Sequence, residues 1–225
     1  MSKVKWDETG SRRYRTGTKK GVLYPYNATN HAYDSAFAWN GLTGVSLSPE
    51  GAEANEVYAD DMQYLNLYSA EKLKYTIEAL DCPDEFDECD GLGELATGVT
   101  IGQQERKMFG FSYVTTLGND VDGNDYGYEI HLLYGSKASP SDQGYETIND
   151  SPEPLTLSWE CSTTPVQVTG KKPTAHVVIN STKVTAAKLQ AIEDILYGTD
   201  GTGGSEGTVG RLPLPDEIAT IMAAG

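Results

Sequence analysis

Short runs of aromatic and β-branched residues recur along the chain, bounded by Gly, Pro, Asn and Asp, which is the pattern of many strands joined by turns. Eight runs read as strands: 21–26, 45–48, 63–68, 72–80, 107–117, 126–134, 155–161 and 176–180. In the fourth, Tyr75, Ile77 and Ala79 point one way while Lys74, Thr76 and Glu78 point the other, so one face of that strand is wet. The fifth and sixth flank Gly118-Asn119-Asp120-Val121-Asp122-Gly123-Asn124-Asp125, a cluster of turn formers that reads as a hairpin tip.

Helical periodicity is confined to the C-terminal part. Residues 184–197 put Leu189, Ile192, Ile195 and Leu196 on one stripe, with Thr182 or Thr185 as N-cap and Gly198 just past the end, predicting a helix laid over a sheet face. A second, short helix is expected over 216–223, where Pro213 and Pro215 forbid an earlier start. Between them, 199–210 is rich in Gly, Ser and Thr and reads as a flexible loop.

Charge divides the chain. Lys3, Lys5, Arg12, Arg13, Arg15, Lys19 and Lys20 face only Asp7 and Glu8 in residues 1–20, giving 7 − 2 = +5; the net charge of −16 leaves −21 for the rest. A body this acidic repels nucleic acid, which argues against a sequence-reading DNA binder, and the basic arm is expected to meet an acidic surface. Residues 1–20 contain no apolar run, and no eighteen consecutive apolar residues occur, so neither a signal peptide nor a membrane span is expected. Cys82, Cys89 and Cys161 are odd in number and form no C-x-x-C pair, so no disulfide framework or zinc site is signalled and synthesis in a reducing cytoplasm is expected.

Candidate chemistry is sparse. The acidic run from Asp81 to Asp90 lacks the spacing and central glycine of a calcium loop and reads as a solvated turn or short helix. Asp120-x-Asp122-x-Asn124 matches the first three ligand positions of such a loop, but the sixth is Asp125 and the twelfth His131, so a loop reaching an adjacent subunit is the better reading. His31, His131 and His176 are scattered. Gly98-Val99-Thr100-Ile101-Gly102 and Gly201-Thr202-Gly203-Gly204 lack a P-loop lysine, and no nucleophile signature occurs. No catalytic, metal or cofactor site is expected.

Several blocks together resemble the major tail proteins of long, non-contractile-tailed phages of Gram-positive bacteria. They are Gly21-Val22-Leu23-Tyr24-Pro25-Tyr26, Ala38-Trp39-Asn40-Gly41-Leu42-Thr43, Tyr58-Ala59-Asp60-Asp61-Met62-Gln63-Tyr64-Leu65-Asn66-Leu67, and Glu78-Ala79 with Pro83-Asp84-Glu85-Phe86. Further along come Thr100-Ile101-Gly102-Gln103-Gln104, Gly127-Tyr128-Glu129-Ile130-His131, Asn149-Asp150-Ser151-Pro152-Glu153, Leu196-Tyr197-Gly198-Thr199-Asp200 and Arg211-Leu212-Pro213-Leu214-Pro215.

The resemblance implies a mainly β chain, a β-sandwich or barrel-like tail-tube fold with one flanking helix and a long inter-subunit loop. Its strands would join those of identical copies in a continuous inner barrel, with hexameric rings stacked into a virion tail tube. On that reading 1–20 is a basic N-terminal arm, 21–198 the tail-tube domain and 199–225 a loop with a short helical segment. The implied partners are the chain itself, tape-measure, tail-tip and tail-terminator proteins, and DNA passing unbound through a carboxylate-lined bore. No membrane is involved. Contacts between subunits are expected at Arg12, Arg13, Arg15, Lys19 and Lys20, at Glu50, Glu53, Glu56, Asp60 and Asp61 in the polar stretch 49–61, and at the hairpin tip Asp120, Asp122, Asn124 and Asp125. Removing 2–18 is expected to leave a folded monomer. The competing readings are a monomeric immunoglobulin-like adhesion or carbohydrate-binding module, and an acidic hydrolase using two carboxylates within 81–94.

Overall fold

The computed structural model describes residues 3–145, 147, 150, 154–201 and 206–223. Along the chain come β1 (Arg13–Pro25), β2 (Phe37–Trp39), β3 (Leu42–Glu50), β4 (Ala54–Ala59), β5 (Met62–Tyr68) and β6 (Lys72–Ala79). A 3-10 turn at Asp84–Phe86 runs into the single-turn helix α1 (Asp87–Asp90), followed by β7 (Gly93–Ala96), β8 (Val99–Ile101), β9 (Phe109–Asn119), β10 (Gly123–Ala138), β11 (Leu157–Thr163) and β12 (His176–Asn180). The chain finishes with α2 (Ala186–Tyr197), β13 (Gly198–Thr199), β14 (Thr208–Val209) and α3 (Pro215–Ala223). The protein is mainly β, and every strand pairing among the described residues is antiparallel.

Eight strands form one sheet in the order β2-β1-β9-β10-β11-β6-β3, with β12 also on β10. The long β10 serves two partners on one side: Glu129 to Leu133 pair with β12, and Ser136 to Ala138 pair with β11. The sheet therefore has two parts. At one end all seven strands of the path curl around a shared core that takes Leu23 from β1, Trp39 from β2, Ile77 from β6, Phe111 from β9 and Trp159 from β11. Strands at opposite ends of the order can share a core only if the sheet closes on itself, as in a barrel-like sandwich. Trp39 stands edge-on to Phe111 and Trp159, at centroid distances of 5.5 and 5.4 Å, and its indole N–H donates to the Asp81 carbonyl. Phe86, in the middle of the acidic run, completes the cluster 4.6 Å from Trp39.

At the other end only β1, β9, β10 and β12 continue. One face of the sheet is covered by the helices, in a second core of Val22, Tyr24, Val114, Ile130, Leu132 and Ile179 against Ile192, Leu196 and Ile218. Three tyrosines bury their rings there and satisfy their hydroxyls across the layer: Tyr24 donates to the Leu196 carbonyl, Tyr128 to Glu193 and Tyr134 to the Pro213 carbonyl. Thr185, with extended backbone, immediately precedes α2, and Pro215 opens α3, where a missing N–H costs nothing.

Each of the eight predicted strands overlaps an observed one, and both helices lie where the periodicity puts them. The differences have physical causes. β1 begins at Arg13, eight residues before the predicted start at Gly21, because Arg13 to Thr16 pair with Asn119 to Thr116 of β9 through backbone bonds that need no apolar alternation. The basic arm of 1–20 thus contributes 13–20 to β1, so the segment 2–18 includes strand that pairs with β9. β2, β7, β8, β13 and β14 are each four residues or fewer, too short for an alternation to mark them in sequence. The stretch read as a flexible loop, 199–210, is pinned at both ends by β13 pairing with β14, with the Thr199 and Thr208 hydroxyls 2.9 Å apart. Residues 202–205 within it lie outside the described residues, as do Asn149 and 151–153 of the resemblance block at 149–153.

Candidate assembly interface

β3 and β6 pair as far as Glu50 and Lys72, and the chain then continues outward as the two-stranded ribbon β4–β5. Gly51, with φ of +86°, bends the root where its α-carbon approaches the Ala70 carbonyl too closely for any side chain. Asp60 and Asp61 make the turn, both at positive φ, which suits the right-handed twist of a tight hairpin. Every residue from Ser48 to Lys72 is exposed except the half-buried Val57.

A free ribbon of this kind is marginal in water and gains nothing from large apolar side chains unless something covers them. Yet Tyr58 and Tyr64 are each 65% exposed, Tyr68 is 70% and Leu67 is 54%. Register sorts these residues by face. Val57, Leu65 and Leu67 lie on one side, and Glu56, Tyr58, Asn66 and Tyr68 on the other, where Tyr58 donates to Glu56 and Asn66 to Tyr68. The predicted contact residues Glu50, Glu53, Glu56, Asp60 and Asp61 all fall on this arm, with Glu50 held at its root by Lys74 at 2.9 Å. Sequence reasoning took 49–61 as merely polar and missed the aromatic and leucine residues beside it. The signal was there in the alternation from Ala54 to Tyr58 mirrored by 64–68 across Asp60-Asp61.

The second feature is a pair of open edges. β2 covers only Gly21 to Leu23 of β1, so Arg13 to Lys20 have no strand neighbour on the side away from β9 among the described residues. Among the described residues β12 likewise pairs only with β10. The four-stranded part of the sheet thus ends in unpaired backbone on both sides, the situation that isolated proteins avoid.

The face of this four-stranded part turned away from the helices is polar. Arg15 forks onto Glu129 through its Nε at 2.7 Å and Nη2 at 3.1 Å, and Asn180 donates to the same carboxylate at 3.0 Å. The Glu129 side chain is only 7% exposed while Arg15 is 69% exposed, so the arginine lies over the acid as a lid. The Arg15 hydrogen bond holds the Glu129 carboxyl below its ordinary value. Beside it Tyr113, His131 and His176 stack, with His131 Nδ1 and His176 Nε2 sharing a hydrogen bond at 3.1 Å and His131 Nε2 meeting Thr115 Oγ1 at 3.0 Å. Burial lowers both imidazoles, His131 to about 4 with help from His176.

The remaining predicted residues gather at the same end. Asn119 folds the hairpin tip by accepting from Val121 and Asp122, and Asp122 accepts the Asn119 amide in return. Asp120 accepts the Gly10 N–H and Asn124 the Tyr14 hydroxyl, so this tip binds its own N-terminal segment. Tyr14 packs over Gly118, where an added Cβ would strike the ring. Asp125 closes the turn by donating its N–H to the Asp122 carbonyl. Arg12 holds the Asp7 carbonyl, Arg13 lies over Tyr126, and Lys20 lies over Tyr197. Lys19 pairs with Val114 in the β1–β9 ladder.

The acidic run takes the short-helix form, burying Phe86 and Cys89 while its carboxylates ring the outside. Asp87 and Asp90 are both pushed up, in each case first by burial. Burial also raises Cys82 to about 11 and Cys89 and Cys161 to about 12, which keeps the thiols protonated and unreactive. Among the described residues no three His, Cys, Asp or Glu side chains are grouped to hold a metal, and no helix is long and apolar enough to cross a membrane. No protein-family model matches the chain, and no curated protein matches it closely enough to count as a relative.

Proposed function

We propose that this chain is the structural subunit of a phage tail tube, closing rings through its sheet edges and joining stacked rings through its ribbon. The observation that carries the reading is the β4–β5 ribbon, a projecting arm with large apolar side chains on both faces and none of the described residues over them. The open edges support it. If β1 of one copy pairs with β12 of the next, the four strands β1, β9, β10 and β12 repeat around a closed barrel and no edge is left. The helix-covered face then lies outside and the Arg15, Glu129 and His131 face lines the bore. The resemblance supplies the hexameric count, the conduit for DNA and the virion as its place; tape-measure, tail-tip and terminator proteins are the partners it brings.

The bore expected to be acidic draws no support from this face, where Arg13 and Arg15 stand against Glu129. The acidic excess sits instead on the ribbon and on the 84–94 turn. DNA passage would then rest on a mixed polar surface without a basic patch extensive enough to hold the phosphate backbone.

A carbohydrate-binding module is the second reading, favoured by Tyr58 and Tyr68 on one ribbon face with Glu56 and Asn66 between them, a flat aromatic platform with hydrogen-bonding groups. Negative-stain microscopy and sedimentation of the purified, concentrated chain separate the two. The tube reading expects rings or tubes; a monodisperse monomer at every concentration would overturn it.

A further inference from the structure

We infer that the ribbon of one copy seats in a basic groove of a second copy, formed by Arg106, Lys107 and Lys137. This rests on the tube reading and names the surface that receives the arm.

Strand direction fixes the ends. Four antiparallel steps, β9 to β10 to β11 to β6 to β3, make β3 parallel to β9. The ribbon leaves from the last residue of β3, and the register sets that root level with the start of β9: Phe109 and Thr163 both pair with Ser136, Ser162 pairs with Lys74, and Pro49 pairs with the adjacent Leu73. The groove lies level with that root: Lys107 and Met108 directly precede β9, Tyr26 directly follows β1, and Lys137, next to last in β10, shares a rung with Ser162, Lys74 and Ser48. The turn at Asp60-Asp61 lies about ten residues of ribbon beyond that root, roughly 30 Å away. A copy displaced head to tail brings arm and groove together, and such a heterologous contact repeats without closing, which is what growth along a tube axis requires.

The chemistry is complementary. The groove, about 730 Å³, has Tyr26 and Met108 among its walls and three cations against Glu105. Arg106 is held only loosely by Asp90, at 3.8 Å, and its buried Nε has no acceptor among the described residues. Lys107 meets Glu88 at 2.6 Å, but both are well exposed, so that pair holds the lysine weakly. The arm offers the reverse: Glu53, Glu56, Asp60 and Asp61 beside Tyr58, Met62 and Tyr64. Cations and a partly apolar floor meet carboxylates and aromatic rings, the pairing that gives an interface both register and area.

Charge reversal tests this with the full chain. A groove variant carrying Lys107→Glu and Lys137→Glu, and a ribbon variant carrying Glu53→Lys and Glu56→Lys, alter only exposed side chains and should keep the wild-type Tm. Each alone is expected to lose at least tenfold in tube mass by sedimentation, whereas an equimolar mixture restores tubes because each arm then finds an opposite groove. Wild-type tube mass from either variant alone, or two defective variants whose mixture stays defective, overturns the groove assignment while leaving the tube reading intact. A wild-type chain that never forms tubes overturns both.

Discussion

Glu129 shows how this fold manages a charge in a strand. Its carboxylate is taken from water by the neighbouring strands and given three hydrogen bonds in return, two from Arg15 and one from Asn180. Because Arg15 itself is wet, the pair contributes modestly, and the larger effect of breaking it comes from leaving Glu129 under-satisfied. Arg15→Ala is expected to cost about 1–2 kcal/mol in denaturant unfolding. The histidines give a pH signature. Folded His131 titrates near 4, while an unfolded histidine titrates near 6.5, so on acidification the unfolded chain takes up the proton first. Stability is therefore full above about 6.5 and falls as the pH drops towards about 4. The lowered Glu129 acts in the same sense at lower pH: its contribution is present above the ordinary carboxyl value and is lost as the pH falls. Tm measured across this range should decline with acidification, and the decline between 6.5 and 4 should be shallower in His131→Gln; a parallel decline in the variant would remove His131 as its source.

Among the elements, those that line a core over several turns or alternations were legible in the sequence, whereas β2 buries Trp39 within only three residues and gave too short a pattern. The stripe Leu189, Ile192 and Leu196 announced α2 because it packs on the second core, and Tyr75, Ile77 and Ala79 announced β6 because they face the first. The first half of β1 gave no such signal: Arg13-Tyr14-Arg15-Thr16 is strand by pairing with β9, a long-range fact no local pattern contains. The ribbon was read only in part. Its residues 63–68 look like any core strand, and only the structure reveals that they stand exposed and join neither core. That makes the ribbon separable. Replacing residues 53–69 with a short Gly-Ser turn should leave the Tm within a few degrees of wild type, since none of these residues belongs to either core, yet abolish tube formation. A large drop in Tm would show instead that the arm props its own body.

At the scale of the whole molecule, the chain is two cores sharing one sheet, stable where seven strands curl together and unfinished where four continue alone. The scattered histidines of the sequence converge there: His131 and His176, 45 residues apart, become stacked neighbours because β12 returns along β10. The unfinished edges, Arg13 to Lys20 and β12, are what copies of the chain would complete. Amide hydrogen exchange tests this directly, followed from dilute chain to the concentration at which it assembles. The outward amides of 13–20 and 176–180 should exchange rapidly in the dilute chain and become strongly protected on assembly, while core β9 is slow throughout. Edges that exchange equally fast at every concentration, or that are already protected in the monomer, would contradict the view of this chain as a wall built from shared strands.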